Sequence, residues 1–200
     1  MSQKGEEIDP SLIRALHEQQ LSWSELGSRA SQVILFGSRA AGVARTDSDW
    51  DLLCVGEGTS IHNRVIDIVW ISPAQLTTAR WLGSELASHV AAYGQWLIGK
   101  DSWSHLVRLS PEAIHHKRQS ILSQLSELKR LWPRLAPGLR AKHLRRLRRG
   151  VQRLQCLSED RAVPPTRMLD DLWDQSGLPP EEPELLWKEA LRIVPAPRGG

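Results

Sequence analysis

Three aspartates and one glycine–serine pair carry most of the chemical information in this 200-residue chain. Gly37-Ser38 follows the apolar run Val33–Phe36, and ten residues later Asp49-Trp50-Asp51 opens a second apolar run. Successive side chains of a strand alternate in direction, so Asp49 and Asp51 project the same way, roughly 6.5–7 Å apart along the backbone. Two carboxylates at that spacing can hold hard divalent cations through oxygen, typically Mg²⁺. A Gly-Ser turn just after a strand can offer backbone N–H groups to phosphate oxygens. Together they suit metal-assisted transfer of a phosphate-bearing group.

Asp67 interrupts the otherwise β-favouring run Arg64–Ile71. A carboxylate inside an apolar strand is costly unless it is paired or binds a metal. If that strand lies beside the one carrying Asp49 and Asp51, three carboxylates share one rim of a sheet. Such a rim suits a two-metal site, with ions about 3.5–4 Å apart clamping the attacking and leaving oxygens.

The elements that hold these residues are readable in outline. A first helix runs to about Gln20, capped by Asp9 or Ser11 with Pro10 in its first turn. Strands are predicted over 32–36, 49–55, 65–71 and 95–98, with a short helical turn over 39–43 and a turn over 56–63. Helices follow over 73–82 and 84–92. Asp47 and Ser48 are expected to shape the turn before Asp49, because such side chains bond to nearby backbone.

Gly37, Ser38, Asp49 and Asp51, spaced GS-x10-D-x-D, and the later Asp67 resemble the nucleotidyltransferases of the DNA polymerase β superfamily. The likeness is greatest to its small prokaryotic branches, the minimal nucleotidyltransferases (some of them antitoxins) and the aminoglycoside nucleotidyltransferases. It covers residues 30 to 71, with a fainter continuation over 92–99. The resemblance implies transfer of a nucleoside monophosphate from an NTP, with ATP and AMP the expected pair, to a hydroxyl acceptor, with pyrophosphate leaving. Gly37 and Ser38 would grip the triphosphate. Asp49 and Asp51 would ligate two Mg²⁺ ions, and Asp67 would ligate one and help deprotonate the acceptor. Arg39, beside the cradle, reads equally as a phosphate contact or as an exposed arginine.

The predicted fold class is α+β: a small mixed sheet flanked by helices, followed by a helical bundle. The predicted division is a nucleotidyltransferase domain over 1–107, a helical domain over 108–194 and a loose tail over 195–200. Ser110 caps a helix with Pro111 at its first position, and Ile114, Ile121, Leu125, Leu128 and Leu131 recur at helical spacing. After the turn at Pro137-Gly138, a second helix carries Leu144, Leu147, Val151 and Leu154. Shorter helices are expected over 167–175 and 183–193.

Two cysteines, Cys54 and Cys156, give no disulfide framework and point to a reducing cytoplasm. No run approaches the ~18 apolar residues of a membrane span, and the polar N-terminus has no signal-peptide core. The seven histidines form no ligand-spaced set, so no zinc is expected. Trp70, Trp96, Trp132 and Trp187 read as core or domain-contact residues.

Charge is uneven. From Arg108 to Arg153, thirteen Lys and Arg face only Glu112 and Glu127, a local balance of +11. From Leu154 onward, five basic residues face nine acidic ones, a balance of −4. The basic helix over 140–153 is suited to RNA phosphates or an acidic protein partner, or to packing on the acidic last third. A basic bundle argues against a cationic aminoglycoside as acceptor. Three functions follow: an active nucleotidyltransferase that adenylylates or uridylylates a hydroxyl, an antitoxin-like member that binds and modifies a partner toxin, or a catalytically silent nucleic-acid-binding or scaffold relative. The intact aspartate trio counts against the last.

Overall fold

The computed structural model describes residues 8–108, 110–175 and 188. The chain divides into two compact units. One comprises Met1–Leu82 and His89–Val107, the other Gly83–Ser88 and Arg108–Gly200.

In the first unit, α1 (Pro10–Glu18) begins at Asp9, whose carboxylate accepts the Ser11 N–H at 2.8 Å. It buries Leu12, Ala15 and Leu16. A second helix, α2 (Trp23–Arg29), was not predicted. Its two turns bury only Leu26, too little for a helical stripe to show. Its start is nonetheless marked by a capping box, Ser22 and Glu25 bonding each other's backbone N–H.

The sheet contains β1 (Ala30–Phe36), β2 (Trp50–Gly56), β3 (Ile61–His62), β4 (Ile66–Ile71) and β5 (Gln95–Ile98). Their order is β3-β4-β2-β1-β5, with β2 and β4 parallel and every other pair antiparallel. The segment expected to be a plain turn over 56–63 thus contains a strand. β3 runs back along β4 as one arm of a hairpin, and this reversal lets β4 enter parallel to β2.

One face of the sheet packs Val33, Leu35, Leu52, Cys54, Ile66 and Ile68 against Leu12, Leu16 and Leu26. Strand alternation then turns Phe36, Asp51 and Asp67 to the opposite face. A one-turn helix, α3 (Gly37–Ala40), follows β1 directly, earlier than the expected 39–43.

The helix expected over 73–82 is broken. A 3₁₀ turn over Pro73–Thr77 precedes a short α4 (Ala79–Leu82). Thr78 explains the break: its hydroxyl donates to the Gln75 carbonyl at 2.8 Å and accepts the Trp81 N–H at 3.2 Å. α5 (Glu85–Tyr93) then leads to β5. Buried Gln32 fastens this edge, its amide oxygen accepting both Trp96 Nε1 and Trp103 Nε1 at 3.3 Å. Its amide nitrogen donates to Ser102 Oγ at 3.0 Å.

The second unit is built on α6 (Pro111–Leu131) and α7 (Pro137–Ser158), joined by a short connection into a helical hairpin. Ser110 caps α6 as expected, accepting the Ala113 N–H at 3.1 Å. The predicted stripes form the core: Ile114, Ile121, Leu125 and Leu128 with Leu144, Leu147, Val151 and Leu154. α8 (Thr166–Gln175) packs against α7. The helix expected over 183–193, Trp187 and the tail fall, apart from residue 188, outside the described residues.

Both cysteines are free and buried. Burial pushes the Cys54 thiol up to about 12 and raises that of Cys156. Among the described residues, no helix is long and apolar enough to cross a membrane.

Candidate active site

The parallel ladder between β2 and β4 pairs Asp51 directly with Asp67. Register partners in adjacent strands share a face and stand roughly 4.8 Å apart at the backbone. Asp49 lies one residue before β2, two positions from Asp51, and its charge acts on the Asp51 carboxyl. The three aspartates picked out by spacing are therefore neighbours at one end of the sheet.

Electrostatics agree with that placement. Asp51 is pushed up to about 7, first by burial and then by the negative charges of Asp49 and Asp67, while Arg39 opposes the rise. Negative charge is thus crowded and under-compensated at this rim. Hard carboxylate oxygens in such a field suit a hard divalent cation, so the donor set fits Mg²⁺ chemically. Among the described residues, however, no three His, Cys, Asp or Glu side chains converge at metal-ligand geometry.

Gly37 sits against this rim. Its φ of +74° lies in the left-handed region, and a Cβ there would collide with the Asp51 carboxylate. Both facts call for glycine. The turn and the carboxylate therefore face each other. Ser38 follows in α3, with its carbonyl accepting the Val43 N–H at 3.0 Å.

Arg39 is engaged by the protein itself. Its guanidinium donates to the Asp49 carbonyl at 3.0 Å and the Ser48 carbonyl at 2.6 Å. It also lies 4.2 Å from the centre of the Trp50 ring. Arg39 thus braces the loop that delivers Asp49. Ser48 shapes that loop as expected, its hydroxyl accepting the Arg45 N–H at 2.9 Å.

Two histidines at the site were not singled out from the sequence. His62 on β3 pairs in register with Asp67, with Nδ1 2.6 Å from Asp67 Oδ1. His89 on α5 is buried, and its Nε2 accepts the Gly37 N–H at 3.1 Å. No local spacing marks either one, because each reaches the site through tertiary contact.

In the second unit the basic residues meet different fates. Arg149 makes a two-point contact with Asp170, at 2.8 and 2.5 Å. Glu85 is shared by Lys117 at 2.6 Å and Arg153 at 3.2 Å. Arg140 lies 5.0 Å from the Trp132 ring centre and donates to the Trp132 carbonyl. Both line a hollow of about 440 Å³ that also includes Leu144, Arg145 and Arg148. Lys142, Arg145 and Arg146 are exposed.

Residues 17–84 match the family model of the nucleotidyltransferase domain. Among curated proteins, none matches the chain. Among solved structures, the chain is similar to the spectinomycin adenyltransferase AAD(9) from Enterococcus faecialis, solved with ATP and spectinomycin. The likeness covers 94% of this chain and 90% of that one, at 11% identity and a TM-score of 0.52. A nucleotidyltransferase-like protein from Exiguobacterium sibiricum 255-15 aligns over 91% of this chain and 72% of its own, at 18% identity and a TM-score of 0.37. A toxin–antitoxin structure with AMP-PNP aligns over 61% and 96%, at 16% identity and a TM-score of 0.27. The first likeness concerns the fold, and the other two carry no further weight. The stretch that matches the nucleotidyltransferase domain, residues 17–84, holds the glycine–serine turn and all three aspartates.

Proposed function

We propose that the protein moves AMP from ATP to a hydroxyl acceptor, releasing pyrophosphate, with Asp49, Asp51 and Asp67 holding Mg²⁺. The observation that carries this reading is the register pairing of Asp51 with Asp67 opposite the Gly37–Ser38 turn. The same under-compensated charge that raises Asp51 toward neutrality would stabilise a bound cation. When bound, the metal would neutralise charge on the triphosphate and orient the attacking and leaving oxygens.

The chain's own residues supply the rest. N–H groups at the start of a one-turn helix have no partner within that turn, so those of Ser38 and its successors are suited to phosphate oxygens. Arg39 keeps Asp49 in place by holding the carbonyls of Ser48 and Asp49. Asp67 takes the proton of the attacking hydroxyl. His62, 2.6 Å from its carboxylate, orients it.

Charge narrows the choice of acceptor. The exposed face of α7, with Lys142, Arg145 and Arg146, favours an anionic acceptor such as RNA or an acidic protein over a cationic antibiotic. ATP labelled in its α-phosphate, incubated with Mg²⁺ and the protein against transfer RNA, candidate proteins and small hydroxyl compounds, tests both claims. Label should appear on one class of acceptor and vanish with Asp49→Asn and Asp51→Asn together. Transfer that survives the double substitution would remove the aspartates from the chemistry.

A further inference from the structure

The geometry points to His89 as a positioning residue that sets the phosphate-binding turn, an inference that rests on the nucleotide reading above. The turn's first N–H, that of Gly37, does not face a ligand. It is donated to His89 Nε2 at 3.1 Å. The Gly37 carbonyl is also held, accepting the Ala41 N–H at 3.2 Å. The two peptide planes flanking Gly37 are thus fixed from outside and from within the turn. This matters because the glycine sits at a φ of +74° against the Asp51 carboxylate. An unheld glycine has wide conformational freedom. A rotation of its peptides would redirect the Ser38 N–H and alter the space in front of Asp51.

The imidazole is well placed to hold the turn. Only 8% of His89 is exposed. The Phe36 ring meets it edge-on, with centroids 6.0 Å apart and planes at 80°. The Tyr93 ring also lies against it, with centroids 5.4 Å apart. Accepting at Nε2 requires that nitrogen to be bare, which places the proton of the neutral ring on Nδ1. Phosphate contacts consequently begin at Ser38, and Gly37 contributes shape: room for the Asp51 carboxylate and a backbone that only glycine adopts easily.

Two measurements on the full chain test this. One is the affinity for ATP with Mg²⁺ by calorimetry, and the other is hydrogen exchange at the Gly37 amide without nucleotide. His89→Ala removes the acceptor. It should speed Gly37 exchange and weaken ATP binding by about tenfold or more, the scale of one hydrogen bond removed. His89→Gln places an amide oxygen near the former Nε2 and should recover most of both. If His89→Ala does not fold, His89→Asn, polar but too short to reach, takes its place. A folded His89→Ala that binds ATP as tightly as the parent overturns the inference. So does a His89→Gln that restores affinity while leaving Gly37 unprotected. A parent protein that binds no ATP would sink the nucleotide reading and this role with it, and Gly37 protection would still report the hydrogen bond separately.

Discussion

The rim of the sheet and the outer face of α7 treat charge in opposite ways. At the rim, like charges are brought together and partly withdrawn from water, so that Asp51 is pushed up to about 7. On α7, many like charges are spread along a helix, and those nearest the interior are given acidic partners, Asp170 for Arg149 and Glu85 for Arg153. Lys142, Arg145 and Arg146 stand in solvent, where water and salt screen their repulsion. The first arrangement stores an unfavourable field that a ligand can relieve, as functional sites do. The second disperses its field, and its cost to folding is small.

Chemistry should show the contrast most strongly. Asp49→Asn with Asp51→Asn should lower nucleotidyl transfer by about 10²–10³-fold or more, the scale of single electrostatic contacts in transition states. Far-ultraviolet circular dichroism should stay unchanged. Equal losses from substitutions on the α7 face would erase the distinction between the two regions. The helical unit depends instead on its core. Leu125 is fully buried among Ile121, Leu128 and the α7 stripe. Leu125→Ala should cost about 2–5 kcal/mol in urea unfolding.

Asp51 provides a sharper version. Unfolded, its carboxyl titrates near 3.8; folded, near 7. Between those values the folded protein keeps a proton that the unfolded chain has released, so this group's contribution to stability falls as pH rises from about 4 to about 7. Thermal melts without divalent metal should therefore show Asp51→Asn gaining on the parent at about pH 8 and losing that gain at about pH 4. Added Mg²⁺ should close the gap at the higher pH by stabilising the parent alone. A pH-independent difference would mean that the rim is not under electrostatic tension.

Smaller effects are expected on α7. A double-mutant cycle through Arg149→Met and Asp170→Asn should give a coupling of a few tenths to about 1 kcal/mol, reduced by salt. Converting Lys142, Arg145 and Arg146 to Gln should change unfolding free energy by about 0.5 kcal/mol or less. If that face binds RNA, the same triple variant should flatten the salt dependence of binding. The log–log slope should fall by about 0.7 for each phosphate of a single strand that is no longer neutralised.

Much of the site was legible before any fold was considered. Strand alternation is a local property, so the D-x-D spacing of Asp49 and Asp51 at the start of an apolar run pointed to a shared side. Asp67 stood out as a charge in an apolar strand. The helical hairpin was equally open to reading, because its stripes repeat along two long helices and Ser110-Pro111 and Pro137-Gly138 mark their starts. Short elements were not. β3 is two residues long, α2 buries one leucine, and the break at Thr78 depends on where one hydroxyl bonds.

The residue pattern alone thus singled out the carboxylates and the turn as candidates for one rim, since periodicity and turn preference act within a few residues. Tertiary structure alone established what holds them. The register of β2 against β4 makes Asp51 and Asp67 level, and the β3 hairpin brings His62 to Asp67. The packing of α5 carries His89 across 52 residues of chain to the Gly37 amide. Such contacts depend on how separate elements meet in space, and no spacing along the chain encodes that meeting.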